Sequence, residues 1–263
     1  MIHKKNMMES DLIFDIGMHK GEDTKKYLQH GFRVVAVEAN PALAERARLL
    51  FKKEIKSGKL TVVNLGIADK SGILPFYRND HLLEWSSFDK AIGTRNNTPF
   101  TIIDIPCDTA ATLFEKYGIP FYLKIDIEGY DPICINSVES AASGPAYISC
   151  EASGIDCLDI LIHKGYTQFK LINQARNFQP FNMAKEMQNP LDTLQGKWNR
   201  FQLKFPQLFP LKYRYGSSGP FAEYTPGNWM KADYIRDCYH QFYSKDTNQP
   251  YNNLSWFDIH AKR

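Results

Sequence analysis

The chain has 263 residues, 43% of them hydrophobic, enough to bury a full core as one large domain or one domain with a substantial extension, and this excludes a disordered chain. Its 32 basic and 29 acidic residues leave a net charge of +3, too balanced for an electrostatic nucleic-acid binder. Five cysteines without a C-x-x-C pair argue against zinc or redox chemistry and read as reduced, mostly buried thiols.

The opening stretch MIHKKNMMESD lacks the apolar segment of a secretion signal, and no apolar run approaches the ~20 residues that span a bilayer. A cytoplasmic protein is therefore expected. From residue 12 onward, short β-branched runs alternate with amphipathic segments, the rhythm of a parallel sheet flanked by helices.

Leu12 to Ile16 is the first expected strand and Glu22 to His30 the first helix, closed by Gly31 in the left-handed cap conformation. RVVAVEA reads as a second, buried strand. Asn40 as N-cap and Pro41 at the first helical position start a second helix, with Leu43, Ala47, Leu50 and Phe51 on one face. LTVVNLGIAD predicts a third strand and ILPFYR a short extra one.

Residues 79 to about 100 have no clean period and read as a long loop or lid, in which Trp85, Ser86, Ser87 and Phe88 suit covering a ligand or packing. TIIDIPC precedes a helix over Asp108 to Tyr117. FYLKIDIEG is the strongest strand in the chain, and Asp131-Pro132 starts the next helix. AYISCEAS, a helix over Asp156 to Lys164, and TQFKLINQ complete the pattern. Beyond Gln174 aromatics and prolines become dense, and 213 to 229 is turn-rich. Residues 1–175 thus form the expected core and 176–263 a cap or extension on the sheet edge.

The first strand ends in Asp15-x-Gly17-x-x-x-Gly21, where glycines let the backbone approach a ligand and an acid projects from the strand end. The glycine spacing of a pyrophosphate-binding dinucleotide loop is missing. An acid there suits a cationic amino-acid end, and Glu38 closes the second strand where a carboxylate can accept both ribose hydroxyls. S-adenosylmethionine carries both groups.

With these features on the page, the chain resembles the FkbM-type methyltransferases over about residues 11 to 175, through FDIGMHKGEDT, VVAVEANP and above all LKIDIEGYD. Met18-His19-Lys20 departs from the small residue and Asn that many relatives carry. The resemblance implies a class I α/β fold with a mostly parallel seven-stranded sheet, and S-adenosylmethionine-dependent methylation, usually at oxygen, of a saccharide or secondary metabolite. It implies that Asp15, Gly17 and Gly21 line the methionine end of the cofactor, that Glu38 holds the ribose, that Ala39 is also cofactor-binding, and that Ile67 or Ala68 touches the adenine. Asp126 and Glu128 would face the transferable methyl.

A hydroxyl acceptor must lose a proton. Asp126 is the positional favourite, though an ordinary carboxylate pKa near ~3.9 suits that task only after burial or with a metal. His19, near ~6.5, is the alternative base. Glu151 at the end of the fifth strand could join Asp126 as an oxygen ligand of Mg²⁺, but a metal is not the favoured reading. Two other functions stay open: a non-catalytic binding or scaffold protein with a vestigial cofactor pocket, and, less favoured, a nicotinamide oxidoreductase.

Overall fold

The computed structural model describes residues 8–187, 217–244, 250–251 and 255–263. Residues 1–7 of the opening stretch and 213–216 of the turn-rich stretch fall outside them. Among the described residues, β1 (Met8–Ile16), α1 (Glu22–Gln29), β2 (Arg33–Glu38), α2 (Pro41–Leu50), α3 (Lys52–Lys56) and β3 (Leu60–Asn64) follow the expected alternation. Asn40 caps α2, its side chain accepting from the Ala42 N–H at 3.0 Å. Leu43, Ala47 and Phe51 turn inward, whereas Leu50 is 61% exposed because α2 ends there.

The expected third strand splits. Asn64 Nδ2 donates to the carbonyls of Glu38 and Ala39, and the Leu65 N–H bonds the Glu38 carbonyl. The chain then leaves the large sheet as β4 (Gly66–Ile67) and pairs with β6 (Phe100–Asp108), which also runs antiparallel to β5 (Gly72–Asn79) in a separate three-stranded sheet. The expected lid between β5 and β6 carries α4 (Lys90–Gly93), capped by Asp89. Because β6 runs on to Asp108, α5 starts two residues later than expected, at Ala110–Tyr117, with Thr109 as its N-cap.

β7 (Ile119–Ile125), α6 (Asp131–Asn136), β8 (Tyr147–Glu151), α7 (Asp156–His163) and β9 (Gln168–Asn173) continue the core. After β10 (Gln179–Pro180) and α8 (Met183–Glu186), α9 (Ala232–Phe242) packs Ile235, Cys238, Tyr239 and Phe242 into the core, and β11 (Phe257–Lys262) ends the chain.

The large sheet has the order β10-β9-β11-β8-β7-β1-β2-β3, eight described strands where seven were expected. β1, β2, β3, β7 and β8 are parallel, while β11 lies between β8 and β9, antiparallel to both. The C-terminal region therefore does not all sit on the sheet edge as expected. β11 is buried along Phe257 to Ala261, and its apolar residues fill the interior of the sheet.

Alternation along the strands divides the core. Phe14 and Ile16 of β1 join Leu123, Ile125, Ile148 and the inner faces of α5, α6, α7 and α9 on one face. Ile13 joins Tyr27, Tyr122 and Phe221 on the other. Full burial of such side chains stabilises by roughly 1.5–3 kcal/mol each. That second face also carries a buried polar row in register across five strands: Asp15, Lys124, Ser149, His260 and Lys170. All five cysteines are free and buried. Among the described residues no helix is long and apolar enough to cross a membrane.

Candidate functional site

The chain builds β1, β2 and β3 in one direction and then returns to place β7 on the other side of β1. The strand order thus reverses between β1 and β7, and in open α/β sheets the crevice outside the carboxyl ends at such a point is where ligands bind. Gly17 and Asp126 stand there. The Gly17 and Met18 N–H groups bond the Val37 carbonyl at 2.9 and 3.0 Å, and the Asp126 N–H bonds the Ile16 carbonyl at 3.0 Å. Gly17 has φ +80°, and a Cβ on it would fall 1.9 Å from the Asp126 carbonyl oxygen, so no other residue fits that approach.

Glu38 is held by the turns on either side of it. One carboxylate oxygen accepts the Asn40 N–H at 2.9 Å and the other the His19 N–H at 2.8 Å. Burial pushes the Glu38 carboxyl up to about 7, against the lowering effect of those two donors.

Asp15 is fully buried. Its Oδ2 accepts the Thr24 hydroxyl at 2.6 Å and its Oδ1 lies 3.1 Å from Lys124 Nζ. Lys124 also donates to the Gly17 carbonyl at 2.7 Å and lies 3.6 Å from Asp126 Oδ2. Burial alone lowers the Lys124 pKa, but Asp15, Asp126 and Asp23 outweigh it and hold the ammonium above the ordinary lysine value.

On the other side of β1, Asp126, Glu128 and Glu151 each bring a carboxylate oxygen to within 4.8 Å of the others. The turn that does this puts Glu128 at φ +47° and Gly129 at φ +93°, a left-handed conformation uncommon for glutamate. Ser87 of the lid clasps the turn, its hydroxyl donating to the Glu128 carbonyl at 2.7 Å. Burial pushes Glu128 up to about 8; Arg95, 3.1 Å from Glu128 Oε2, opposes the rise, and Asp126 and Asp131 add to it. Burial also raises Glu151 well above the carboxylate range, reinforced by Glu128, Asp126, Asp131 and Asp258. Asp131, expected to cap α6, instead accepts the Glu151 N–H at 3.1 Å and the Ile127 N–H at 3.3 Å, tying the β7 turn to the end of β8. Burial pushes it up to about 6.

A cavity of about 760 Å³ joins these parts. Gly17, Glu38, Ala39 and Ile67 line it, as do Asp126, Glu128 and Glu151. The lid contributes Trp85, Ser86, Phe88 and Arg95, with the Arg95 guanidinium 4.4 Å from the centre of the Trp85 ring. The far wall is Gln174 and Trp256: Gln174 donates to Asp258 at 2.6 Å and accepts the Trp256 indole N–H at 3.0 Å. A hard divalent cation takes oxygen ligands of the type that the three carboxylates offer.

Of the residues singled out in the sequence, Gly17, His19, Glu38, Ala39, Ile67, Asp126 and Glu128 share this cavity. Asp15, Gly21 and Ala68 stand behind its wall: Gly21 opens α1 at φ +85° against Phe51, and Ala68 is buried with Phe76 and Ile105. The His19 imidazole lies 3.9 Å from Glu84, and burial first, then Lys20, lowers its pKa. Lys124, Arg95, Gln174, Trp256 and Asp258 were not anticipated. A signal existed for Lys124, two positions before Asp126 and so on the same side of the strand. The others arrive through long-range packing that carries no local pattern.

These features define a doubly wound α/β protein with a cofactor-sized crevice at the strand switch point. The methyltransferase FkbM domain matches residues 15–162, more than half of the chain, which belongs to the FkbM methyltransferase family. Among solved structures, the chain is similar to precorrin-6y C5,15-methyltransferase from Geobacter metallireducens GS-15, at 14% identity over 64% of this chain and 69% of that one, with a TM-score of 0.34. No curated protein matches it.

Proposed function

We propose that the protein transfers the methyl group of S-adenosylmethionine to a hydroxyl oxygen of a saccharide or other secondary metabolite. The observation that carries this reading is the two-sided cavity, with a buried, backbone-held Glu38 on one side of the β1 end and carboxyls raised toward neutrality on the other.

The residues fit the cofactor. A carboxylate has about four lone-pair sites. Two of those on Glu38 take backbone N–H groups, and the rest suit a ribose diol. Ala39 and Ile67 would bound the adenine, and the side-chain-free Gly17 would lie along the methionine end. Asp15, Gly21 and Ala68 support this wall from behind. When bound, S-adenosylmethionine supplies an electrophilic methyl on a sulfonium.

The chain must then hold an acceptor oxygen in line and take its proton. We assign the proton to Glu128, whose carboxyl at about 8 is far better matched to a hydroxyl than an ordinary carboxylate. Asp126 orients the acceptor hydroxyl. His19 belongs to the cofactor loop, where its N–H fixes Glu38. Residues 1–175 read as the cofactor-binding core and 176–263 as a cap that also completes the sheet.

One observation favours a second reading. Three carboxylates within 4.8 Å cannot all be charged without compensation, and either shared protons or a divalent cation meets that need. The test is mass spectrometry of cell extract incubated with the protein and methyl-labelled S-adenosylmethionine. A small-molecule product carrying the label at oxygen supports the proposal, and its absence from every extract tried overturns it. In an EDTA arm, continued transfer supports shared protons, whereas loss of transfer restored by Mg²⁺ moves the cation to first place.

A further inference from the structure

A turn from beyond the family-matched stretch reaches the acidic side of the cavity. Asp23, in the first turn of α1, is 4% exposed. Its Oδ1 accepts the Ser217 hydroxyl and its Oδ2 the Ser218 N–H, the latter at 2.7 Å. Ser217 Oγ in turn accepts the Gly219 N–H at 3.0 Å. Gly219 has φ +81°, and a Cβ there would fall 2.2 Å from the Phe178 ring. The turn is thus gripped between α1 and Phe178, with little freedom to shift.

The grip leaves the Ser218 hydroxyl 3.5 Å from Asp126 Oδ2, the oxygen that also lies 3.6 Å from Lys124 Nζ. Asp126 therefore has donors behind it from two separate parts of the chain, while its side chain, 36% exposed, lines the cavity. Both contacts are long. Hydrogen bonds at active sites are often long in the free protein and tighten in the productive complex.

We propose that Ser218, clamped by Asp23, is a positioning residue for methyl transfer that holds the Asp126 carboxylate in the orientation that places the acceptor hydroxyl. The inference rests on the methyl-transfer reading above. The cap then takes part in the reaction: it supplies a hydroxyl to the site, and Asp23 in the cofactor half of the fold aligns a carboxylate across the crevice. A serine that only packed the cap would affect stability and leave transfer unchanged.

The test uses the full chain with three readouts: label transfer from methyl-labelled S-adenosylmethionine into cell extract, S-adenosylhomocysteine affinity by calorimetry, and Tm. Ser218→Ala is expected to lower transfer about 10- to 100-fold, the scale of a misplaced reacting group. Affinity should stay within about twofold and Tm within ~2 °C. Ser218→Thr, which keeps the hydroxyl, should restore most of the transfer. Wild-type transfer rates in Ser218→Ala overturn this inference alone, as does a loss that tracks Tm and is not rescued by threonine. No transfer by the wild-type protein overturns the methyl-transfer reading and this inference with it.

Discussion

Lys124 Nζ lies 3.1 Å from Asp15 Oδ1, and both side chains are buried, 3% and 0% exposed. This pair ties the ends of β1 and β7 together directly beneath the crevice, with the Gly17 carbonyl as a further acceptor for the ammonium. A buried ion pair contributes little net stability over an apolar pair of similar size, but removing one partner strands the other charge in a low dielectric. Lys124→Met should therefore lower unfolding stability by about 3–5 kcal/mol, read by urea denaturation. The double variant Lys124→Met/Asp15→Asn should recover part of that loss. A single variant as stable as the wild type contradicts the buried pairing.

Glu38 offers a second measurement. Glu38→Ala should weaken S-adenosylhomocysteine binding by about 1.5–3 kcal/mol, the scale of hydrogen bonds to charged groups. Glu38→Gln, which still accepts one of the two backbone N–H groups, should lose less. Calorimetry reads both, and unchanged affinity in the alanine variant refutes the ribose assignment.

Stability should fall with rising pH, because the raised carboxyls outweigh the buried His19 and His260, whose lowered pKa values act the other way. Asp23 and Asp131 are pushed up to about 6, Glu38 to about 7 and Glu128 to about 8, in each case chiefly by burial. A carboxyl whose folded-state pKa exceeds its unfolded value binds more protons when folded. Each such group therefore favours the unfolded state progressively as pH climbs from its ordinary value near ~4 through the folded one. Tm at pH 5.5 should exceed that at pH 8.5 by at least about 3 °C. A flat profile, or one that rises with pH, contradicts the raised carboxyls.

The acidic side of the site has its own pH signature. If Glu128 takes the proton, transfer at low acceptor concentration should rise with pH through about 8 and then level off. Asp126, Asp131, Glu151 and Arg95 face Glu128 and set where that rise falls. Glu128→Gln should cut transfer by ~10² to 10⁴-fold and flatten the profile. Asp126→Asn should also lower transfer, with cofactor affinity unchanged. Should His19→Ala abolish transfer while Glu128→Gln spares it, the base lies in the cofactor loop.

Local patterns determined a large share of this protein. Short, nearly continuous apolar runs defined β1, β2, β7, β8 and β9 because a strand buried on both faces must be apolar along most of its packed length. Asn40-Pro41 marked the start of α2 because cap and proline satisfy local backbone needs. Gly17 and Glu38 were legible as residues of one crevice for the same kind of reason: each sits at a strand end, and strand ends deliver their residues to one place.

Tertiary structure decided the rest. β11 reads from its sequence as the tail of an irregular extension, yet it enters between β8 and β9, since pairing partners far apart in the chain leave no trace in local periodicity. The raised pKa of Glu128 comes chiefly from burial beneath the lid, which no local pattern specifies, although the two acids that add to it, Asp126 and Asp131, are its neighbours in the sequence. Asp15 presented itself as an acid awaiting a cation in a ligand. The folded chain supplies that cation from Lys124, because two parallel strands in register place the side chains of the pair on the same face of the sheet.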